Sequence, residues 1–171
     1  MTNLASSDYC NTLRQMHERE TWGDKGHTYK DEILAWFGQL GCATLLDYGS
    51  GKETLRLALA PAIDVQCYDP GTDRNALPSP ADFIACTDVL EHIEPELINN
   101  VLAHICTLMR KGGYFSIALN ADKRRTLPDG RNAHLLVKNS AWWLAKLQQH
   151  GLTVAKHDAG RKHLRAWLSV L

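Results

Sequence analysis

The chain has 171 residues, 44% hydrophobic and 22% charged, with Lys+Arg and Asp+Glu both at 19. That length suits one domain with a sizeable core, and the balanced charge excludes a whole-chain basic footprint for duplex nucleic acid. No run reaches transmembrane length, MTNLASSDYC has no signal-peptide core, and five unpaired-looking cysteines (Cys10, Cys42, Cys67, Cys86, Cys106) without CxxC spacing read as reduced thiols. The expectation is a cytoplasmic protein with no membrane partner.

Residues 1–30 are polar with scattered aromatics, and a helix is predicted from Asp8 to Glu20. The Trp22-Gly23-Asp24-Lys25-Gly26 stretch breaks it. A second helix is predicted from Asp31 to Leu40, closed by Gly41. From there the rhythm is strand, turn, helix. Ala43–Tyr48 fits a buried strand and Glu53–Ala60 a helix that Pro61 terminates. Asp64–Tyr68 and Asp82–Cys86 are further strands. Pro95–Met109 reads as a strongly amphipathic helix, with Pro95 in its first turn and Lys111-Gly112-Gly113 as its stop. Tyr114–Leu119 is a strand, and Ser140–His150 a helix with a serine cap. Leu152–Lys156 and Arg165–Val170 close the chain as a candidate antiparallel hairpin. The alternation implies an α/β sandwich with a mainly parallel sheet, whose ligands bind at the carboxyl ends of the strands.

Three of those ends carry chemistry. In LLDYGSGKE, Gly49 and Gly51 let the backbone turn tightly and approach a ligand, and the helix behind presents free N–H groups. Asp47 would be awkward beside a pyrophosphate but can pair with the ammonium of an amino acid, which favours S-adenosylmethionine over a nicotinamide dinucleotide. Tyr68-Asp69-Pro70 follows the next strand. Asp69 lies 18 residues after Gly51, near the offset at which a carboxylate takes ribose hydroxyls. The alternative is an aspartate in an ordinary DPG turn. Next comes Cys86-Thr87-Asp88-Val89-Leu90-Glu91-His92-Ile93, where two acids and a histidine line a site better than they fill a core.

With LLDYGSGKE, VQCYDP, DFIACTDVLEHIEP and MRKGGYFSIAL in this order and spacing, the chain resembles the class I S-adenosylmethionine-dependent methyltransferases over residues 43–171. The resemblance implies a Rossmann-like sheet with an antiparallel terminal strand. It also implies one domain over 1–171, with an N-terminal helical lid over 1–42 on a core of 43–171. Asp47, Gly49, Ser50 and Gly51 would surround the methionine moiety. Asp69, with Pro70 beside it, would bind the ribose. Thr87, Asp88 and Val89 would border the sulfonium. Two departures stand out. Glu53 occupies the place of the family's third glycine. PGTDRNALPSPA is too short for the usual third strand and its flanking helices, so a reduced sheet of about six strands is expected, without the strand that normally carries an adenine contact.

On the acceptor side, DVLEH is most similar to the small-molecule enzymes, especially the ubiquinone-pathway O-methyltransferases. A related pattern binds a divalent metal in the small-RNA 3′-end 2′-O-methyltransferases, which makes Asp88, Glu91, His92 and the later His134 candidate ligands for Mg²⁺, Mn²⁺ or Zn²⁺. Many family members with DVLEH need no metal. Without one, Glu91, His92 and His134 are the candidate catalytic groups, a histidine serving as general base. Trp22 and Tyr29 either enclose the cofactor or substrate or pin the N-terminal segment by packing. The implied activity is methyl transfer to an oxygen or nitrogen of a small molecule. The rivals are a nucleic-acid or nucleotide methyltransferase using the basic residues Lys123, Arg124, Arg125 and Arg131, and a non-catalytic cofactor-binding partner subunit. No NPPY or DPPY sequence is present, which argues against base N-methylation of DNA.

Overall fold

The computed structural model describes residues 3–18 and 22–170. Six strands form one sheet: β1 (Leu45–Tyr48), β2 (Val65–Tyr68), β3 (Ala81–Thr87), β4 (Met109–Ala118), β5 (Thr153–Ala159) and β6 (His163–Ser169). Their order is β2-β1-β3-β4-β6-β5. The first four run parallel, while β6 pairs antiparallel with both β4 and β5. The short stretch after Asp69 passes from β2 to β3 without forming a strand, so the sheet is the reduced one expected from its length.

The parallel strands read as continuous apolar runs because both faces of the sheet are covered. Alternate residues serve opposite layers. Leu45, Phe83, Ala85 and Tyr114 face Ile33 of α2 (Lys30–Gln39) and Leu55 and Leu59 of α3 (Thr54–Leu59). Leu46, Ile84, Cys86 and Phe115 face Ile98, Val101, Leu102 and Ile105 of α4 (Ile98–Leu108) and Trp143 and Leu147 of α5 (Ser140–Gln149). A third, smaller cluster joins Tyr9 and Met16 of α1 (Ser7–His17) and Trp22 to Leu127 and Ala133. It lashes the N-terminal segment over the carboxyl ends of the strands.

Several boundaries differ from the sequence expectation, each for a local reason. Lys111-Gly112-Gly113 does not stop a helix. It lies inside β4, which starts at Met109 directly after α4. A Cβ on Gly113 would come 2.5 Å from the Ile84 carbonyl oxygen, so the glycine serves strand contact there. Pro95 precedes α4 rather than entering its first turn, since residues 95–97 form a separate turn. The cap of α5 is Asn139, whose side chain accepts from the Trp142 amide at 2.9 Å, and Ser140 is the first helical residue. The closing strands are an antiparallel hairpin, longer at their facing ends than their apolar residues suggested. In the first helix, α1 ends at His17, and Glu20 of the expected span lies outside the described residues. Among the described residues, no helix is long and apolar enough to cross a membrane.

Candidate active site

The carboxyl end of β1 turns through Gly49 (φ +82°) and Gly51 (φ +50°). Both need the left-handed region, where a side chain is costly. The Gly49 and Ser50 amides donate to the Tyr68 carbonyl at 2.7 and 3.1 Å, tying the turn to the end of β2. The Gly51 amide donates to Asp69 Oδ2 at 2.9 Å, and Gly71 donates to Oδ1 at 2.8 Å. Asp69 therefore ties the turn to the loop after β2 through these two backbone hydrogen bonds, and it lines a cavity. His17 of α1 stands 3.6 Å from Oδ1. The other side of the turn is closed by the N-terminal segment. Lys52 donates its amide to the Gly23 carbonyl at 2.8 Å, and a Cβ on Gly51 would sit 2.6 Å from that same oxygen.

Glu53, where the family turn has glycine, also adopts a left-handed conformation (φ +58°) as the residue before α3. Its carboxylate holds Arg56 Nε at 2.5 Å and Arg74 Nε at 2.8 Å. Hydrogen bonding from Arg74 leads the causes that keep its carboxyl below the usual glutamate range. The ion pairs fasten the loop after β2 to α3 and help to hold the unusual backbone.

Asp47 is buried at the floor of the cavity. Burial, and then the charges of Asp69 and Glu53, push its carboxyl up to about 7. Beside it the Ser50 hydroxyl is buried without a hydrogen-bond partner among the described residues. A buried acid short of counter-charge, an unused hydroxyl and a glycine cradle suit the ammonium and carboxylate of an amino-acid moiety. The residues present therefore fit S-adenosylmethionine.

At the end of β3 the chain turns through Asp88, again left-handed at φ +55°. The Tyr29 hydroxyl lies 3.0 and 2.9 Å from the two Asp88 carboxylate oxygens, and Ser116 Oγ donates to Oδ1 at 2.9 Å. Burial foremost, and next the Asp88 charge, raise the Tyr29 phenol well above its ordinary range. Residues 90–92 then form a single 3-10 turn. It sends Glu91 inward, where the side chain is fully buried. Glu91 Oε1 accepts the Ala118 amide at 3.0 Å, while Oε2 is buried with no partner among the described residues. Burial, then the Asp88 charge, raises the Glu91 carboxyl well above the glutamate range.

His92 Nδ1 donates to the Ala133 carbonyl at 2.7 Å, and His134 Nδ1 donates to the Asn120 carbonyl at 2.5 Å. The two rings meet edge to face with centroids 4.9 Å apart. Burial lowers the His92 imidazole to about 4, against the Ala133 hydrogen bond that would raise it. Glu91, His92 and His134 each place one donor atom within 4.8 Å of the others. Of the four candidate metal ligands the structure gathers these three. Asp88 stands apart, engaged with Tyr29 and Ser116.

His134 reaches the cluster because residues 120–134 fold back as a hairpin. Thr126 bridges Asn132 antiparallel, and Leu127 donates its amide to the Arg131 carbonyl at 2.8 Å. Asn132 braces the base, accepting from the Asp122 and His134 amides at 3.0 and 2.9 Å and donating to the Asp122 carbonyl at 2.8 Å. Arg131 turns outward to Asp129, while Lys123, Arg124, Arg125 and Lys162 line the cavity.

One cavity of about 570 Å³ takes in both halves. Its wall includes Asp47, Gly49, Ser50, Gly51, Asp69 and Pro70 at one end. Thr87, Asp88 and Val89 lie in its wall too, as do Glu91, His92 and His134. Trp22 is buried against His92, with ring centroids 4.8 Å apart and the Arg125 guanidinium 5.9 Å from its ring. Trp22 and Tyr29 both pin the N-terminal segment and both also line the cavity. Trp143 is buried in the core, and Trp142 lies outside the cavity between Lys138 and Lys146.

Two structural residues escaped the sequence reading. Glu94 accepts the Ser6 amide and hydroxyl at 2.8 and 2.6 Å, and the Tyr9 hydroxyl donates to the His92 carbonyl at 2.6 Å. They moor α1 to the segment that carries the cluster. The acid after Glu91-His92-Ile93 was visible as a residue, but its partner lies 88 positions away.

The profile of a methyltransferase domain matches residues 17–160. Among solved structures, the chain is similar to the 1,6-didemethyltoxoflavin-N1-methyltransferase of Burkholderia thailandensis. The TM-score is 0.69 at 18% identity, covering 99% of this chain and 92% of that one. It is also similar to the magnesium protoporphyrin IX methyltransferase of Synechocystis PCC 6803 with bound SAM, at TM-score 0.64 and 19% identity, covering 99% and 100%. A tRNA (guanine-N(7)-)-methyltransferase of Corynebacterium efficiens is 38% identical over 30% of this chain. The chain spans about a quarter of the length of the curated relatives it matches (24%). Profile, sheet order and cradle agree, and the chain belongs to the methyltransferase-domain family, with the fold of the class I S-adenosylmethionine-dependent methyltransferases.

Proposed function

We propose that the protein transfers the methyl group of S-adenosylmethionine to an oxygen or nitrogen of a small anionic molecule. The observation that carries this reading is the continuity of one cavity from the glycine turn and Asp69, through Thr87-Asp88-Val89, to Glu91, His92, His134 and a basic rim. S-adenosylmethionine supplies an activated methyl group on sulfur. The chain supplies position: Gly49, Ser50, Gly51 and Asp47 hold the amino-acid end, and Asp69 takes the ribose. Catalysis then rests mainly on placing the acceptor in line with the methyl carbon and accepting its proton. Glu91, His92 and His134 are the groups that orient it, a histidine accepting the proton. The stronger form of the same reading gives this cluster a divalent cation.

A small acceptor is favoured by the even overall charge and by the size of the cavity, part of which the cofactor must fill. Two similar structures carry names of enzymes acting on 1,6-didemethyltoxoflavin and magnesium protoporphyrin IX, both small molecules. Lys123, Arg124 and Lys162 have no ion pair among the described residues, which suits a carboxylate or phosphate on the acceptor. The second reading, methylation of RNA, rests on the same basic residues and on the partial match to the tRNA enzymes. Methyl-labelled S-adenosylmethionine, offered with a small-molecule extract and separately with total RNA, distinguishes the two. Label is expected in the small-molecule fraction. Transfer to RNA alone would reverse the assignment.

A further inference from the structure

We infer that Glu91, His92 and His134 form a binding site for one divalent cation at the acceptor end of the cavity. The inference rests on the methyltransferase reading for the identity of the acceptor, but not for the cation site.

The hydrogen bonds around the cluster fix what each group presents. A carbonyl oxygen only accepts, so Nδ1 of His92 and Nδ1 of His134 both carry the proton that they give to Ala133 and Asn120. Each neutral ring then offers Nε2 as a lone pair. Carbonyl bonds of this kind set the tautomer and ring orientation of metal-binding histidines. Glu91 completes the set. Its Oε1 is satisfied by the Ala118 amide, while Oε2 is fully buried and has no donor among the described residues. A buried carboxyl oxygen with no partner is costly, and a cation would supply one.

One donor atom from each of the three residues lies within 4.8 Å of the other two, close enough for a single cation to bridge them. Two imidazoles and one carboxylate favour Mn²⁺ or Zn²⁺ over Mg²⁺, which prefers oxygen. Three protein ligands would leave coordination positions for substrate, the number found in catalytic rather than structural sites. Asp122 is engaged with the hairpin. Its Oδ2 is 3.3 Å from Arg125 Nη1 and 3.9 Å from His134 Nε2, and Oδ1 accepts the Arg124 and Arg125 amides.

The site deepens the acceptor assignment. A cation bound here faces the same cavity as Thr87-Asp88-Val89, so an acceptor hydroxyl bound to it would lose its proton more readily. The acceptor oxygen gives that proton to solvent and forms the bond to the methyl carbon. The carbon–sulfur bond breaks, its electron pair stays on sulfur, and S-adenosylhomocysteine leaves. The favoured substrate is therefore a hydroxyl compound with an anionic group for Lys123, Arg124 and Lys162.

The test is titration of the chelator-stripped 171-residue chain with Mn²⁺ and with Zn²⁺, followed by calorimetry, thermal melting and, for Mn²⁺, the loss of the free-ion electron paramagnetic resonance signal. One equivalent should bind at micromolar concentration or below and raise the melting temperature. Glu91→Gln, which keeps the shape, and His134→Gln, at the more open edge, should each weaken binding at least a hundredfold. His150→Ala, on the far surface, should leave it unchanged. Absence of binding below millimolar, or binding that survives both site substitutions, overturns the cation site. S-adenosylhomocysteine titrated into the same samples separates the two ideas. If it binds and the cations do not, only the cation inference fails. If the cations bind and it does not, the site stands and the methyltransferase reading falls.

Discussion

At the cofactor end of the cavity, the wall is a tight backbone turn through Gly49 and Gly51, whose amides are tied to the Tyr68 carbonyl and to Asp69. At the acceptor end they are side chains, brought from residues 91, 92 and 134 by a 3-10 turn and a hairpin. The first end tolerates almost no added atoms but depends little on distant sequence. The second depends on a fold that joins segments about forty residues apart, each side chain tied by a hydrogen bond to a backbone group of another segment. A shared cosubstrate calls for the first kind of construction, and a particular acceptor for the second.

Adding one carbon to the cofactor end should break it most severely. Gly51→Ala places a Cβ 2.6 Å from the Gly23 carbonyl oxygen in a left-handed conformation. We expect destabilisation of about 2 kcal/mol or more by thermal melting, and at least a hundredfold weaker S-adenosylhomocysteine binding. Near-normal affinity would show that the turn does not form the cradle.

The buried acid at the cavity floor gives a pH test of the same end. Asp47 holds its proton to about pH 7 in the folded chain but releases it near 3.8 when unfolded. The folded state thus binds more protons between these values. Stability from this group is highest below pH 4, falls as pH rises toward 7 and is flat above. The full span is on the order of 4 kcal/mol. Asp47→Asn should therefore gain stability relative to the parent as pH rises from 5 to 7.5. Pairing with the ligand's ammonium requires the ionised acid, so affinity for S-adenosylhomocysteine should rise with pH up to about 7 and level off. A pH-independent affinity in the parent protein would remove Asp47 from that role.

The smallest effect is expected at the residue that replaces a glycine. Glu53→Gly relieves a left-handed side chain, worth about 1 kcal/mol, and loses ion pairs to Arg56 and Arg74 that are each worth about 0–1 kcal/mol at partly exposed positions. The net change in denaturant melts should be within about 1 kcal/mol. A larger loss would mean that the loop after β2 depends on this clasp because the usual third strand is absent.

The contrast also governs how far the sequence could be read. The parallel strands were legible because a strand buried on both faces is an apolar run, and the cradle because its chemistry fits inside LLDYGSGKE. Lys111-Gly112-Gly113 misled because glycines stop helices as often as they permit close strand contact, and only the neighbouring Ile84 carbonyl decides between them. Asn139 and Ser140 are both good caps, and sequence alone does not rank adjacent candidates. Asp88 looked like a fourth metal ligand from its spacing to Glu91. The left-handed turn at Asp88 instead points it to Tyr29 and Ser116, a geometry that no spacing rule contains. The meeting of His134 with His92 depends on Asn132 and the hairpin it braces, and the mooring of α1 by Glu94 on a contact 88 residues apart.

The most direct measurement is calorimetric titration of S-adenosylhomocysteine into the parent protein, Asp69→Ala and His134→Ala. One site of micromolar affinity is expected in the parent. Asp69→Ala should lose it, because the Gly51 and Gly71 amides lose their acceptor along with the ribose. His134→Ala should retain it within about threefold, since one side chain of the acceptor end holds no part of the cradle. No binding in the parent, or an Asp69→Ala protein that binds as tightly, would contradict a cavity divided between a cofactor cradle and an acceptor cluster.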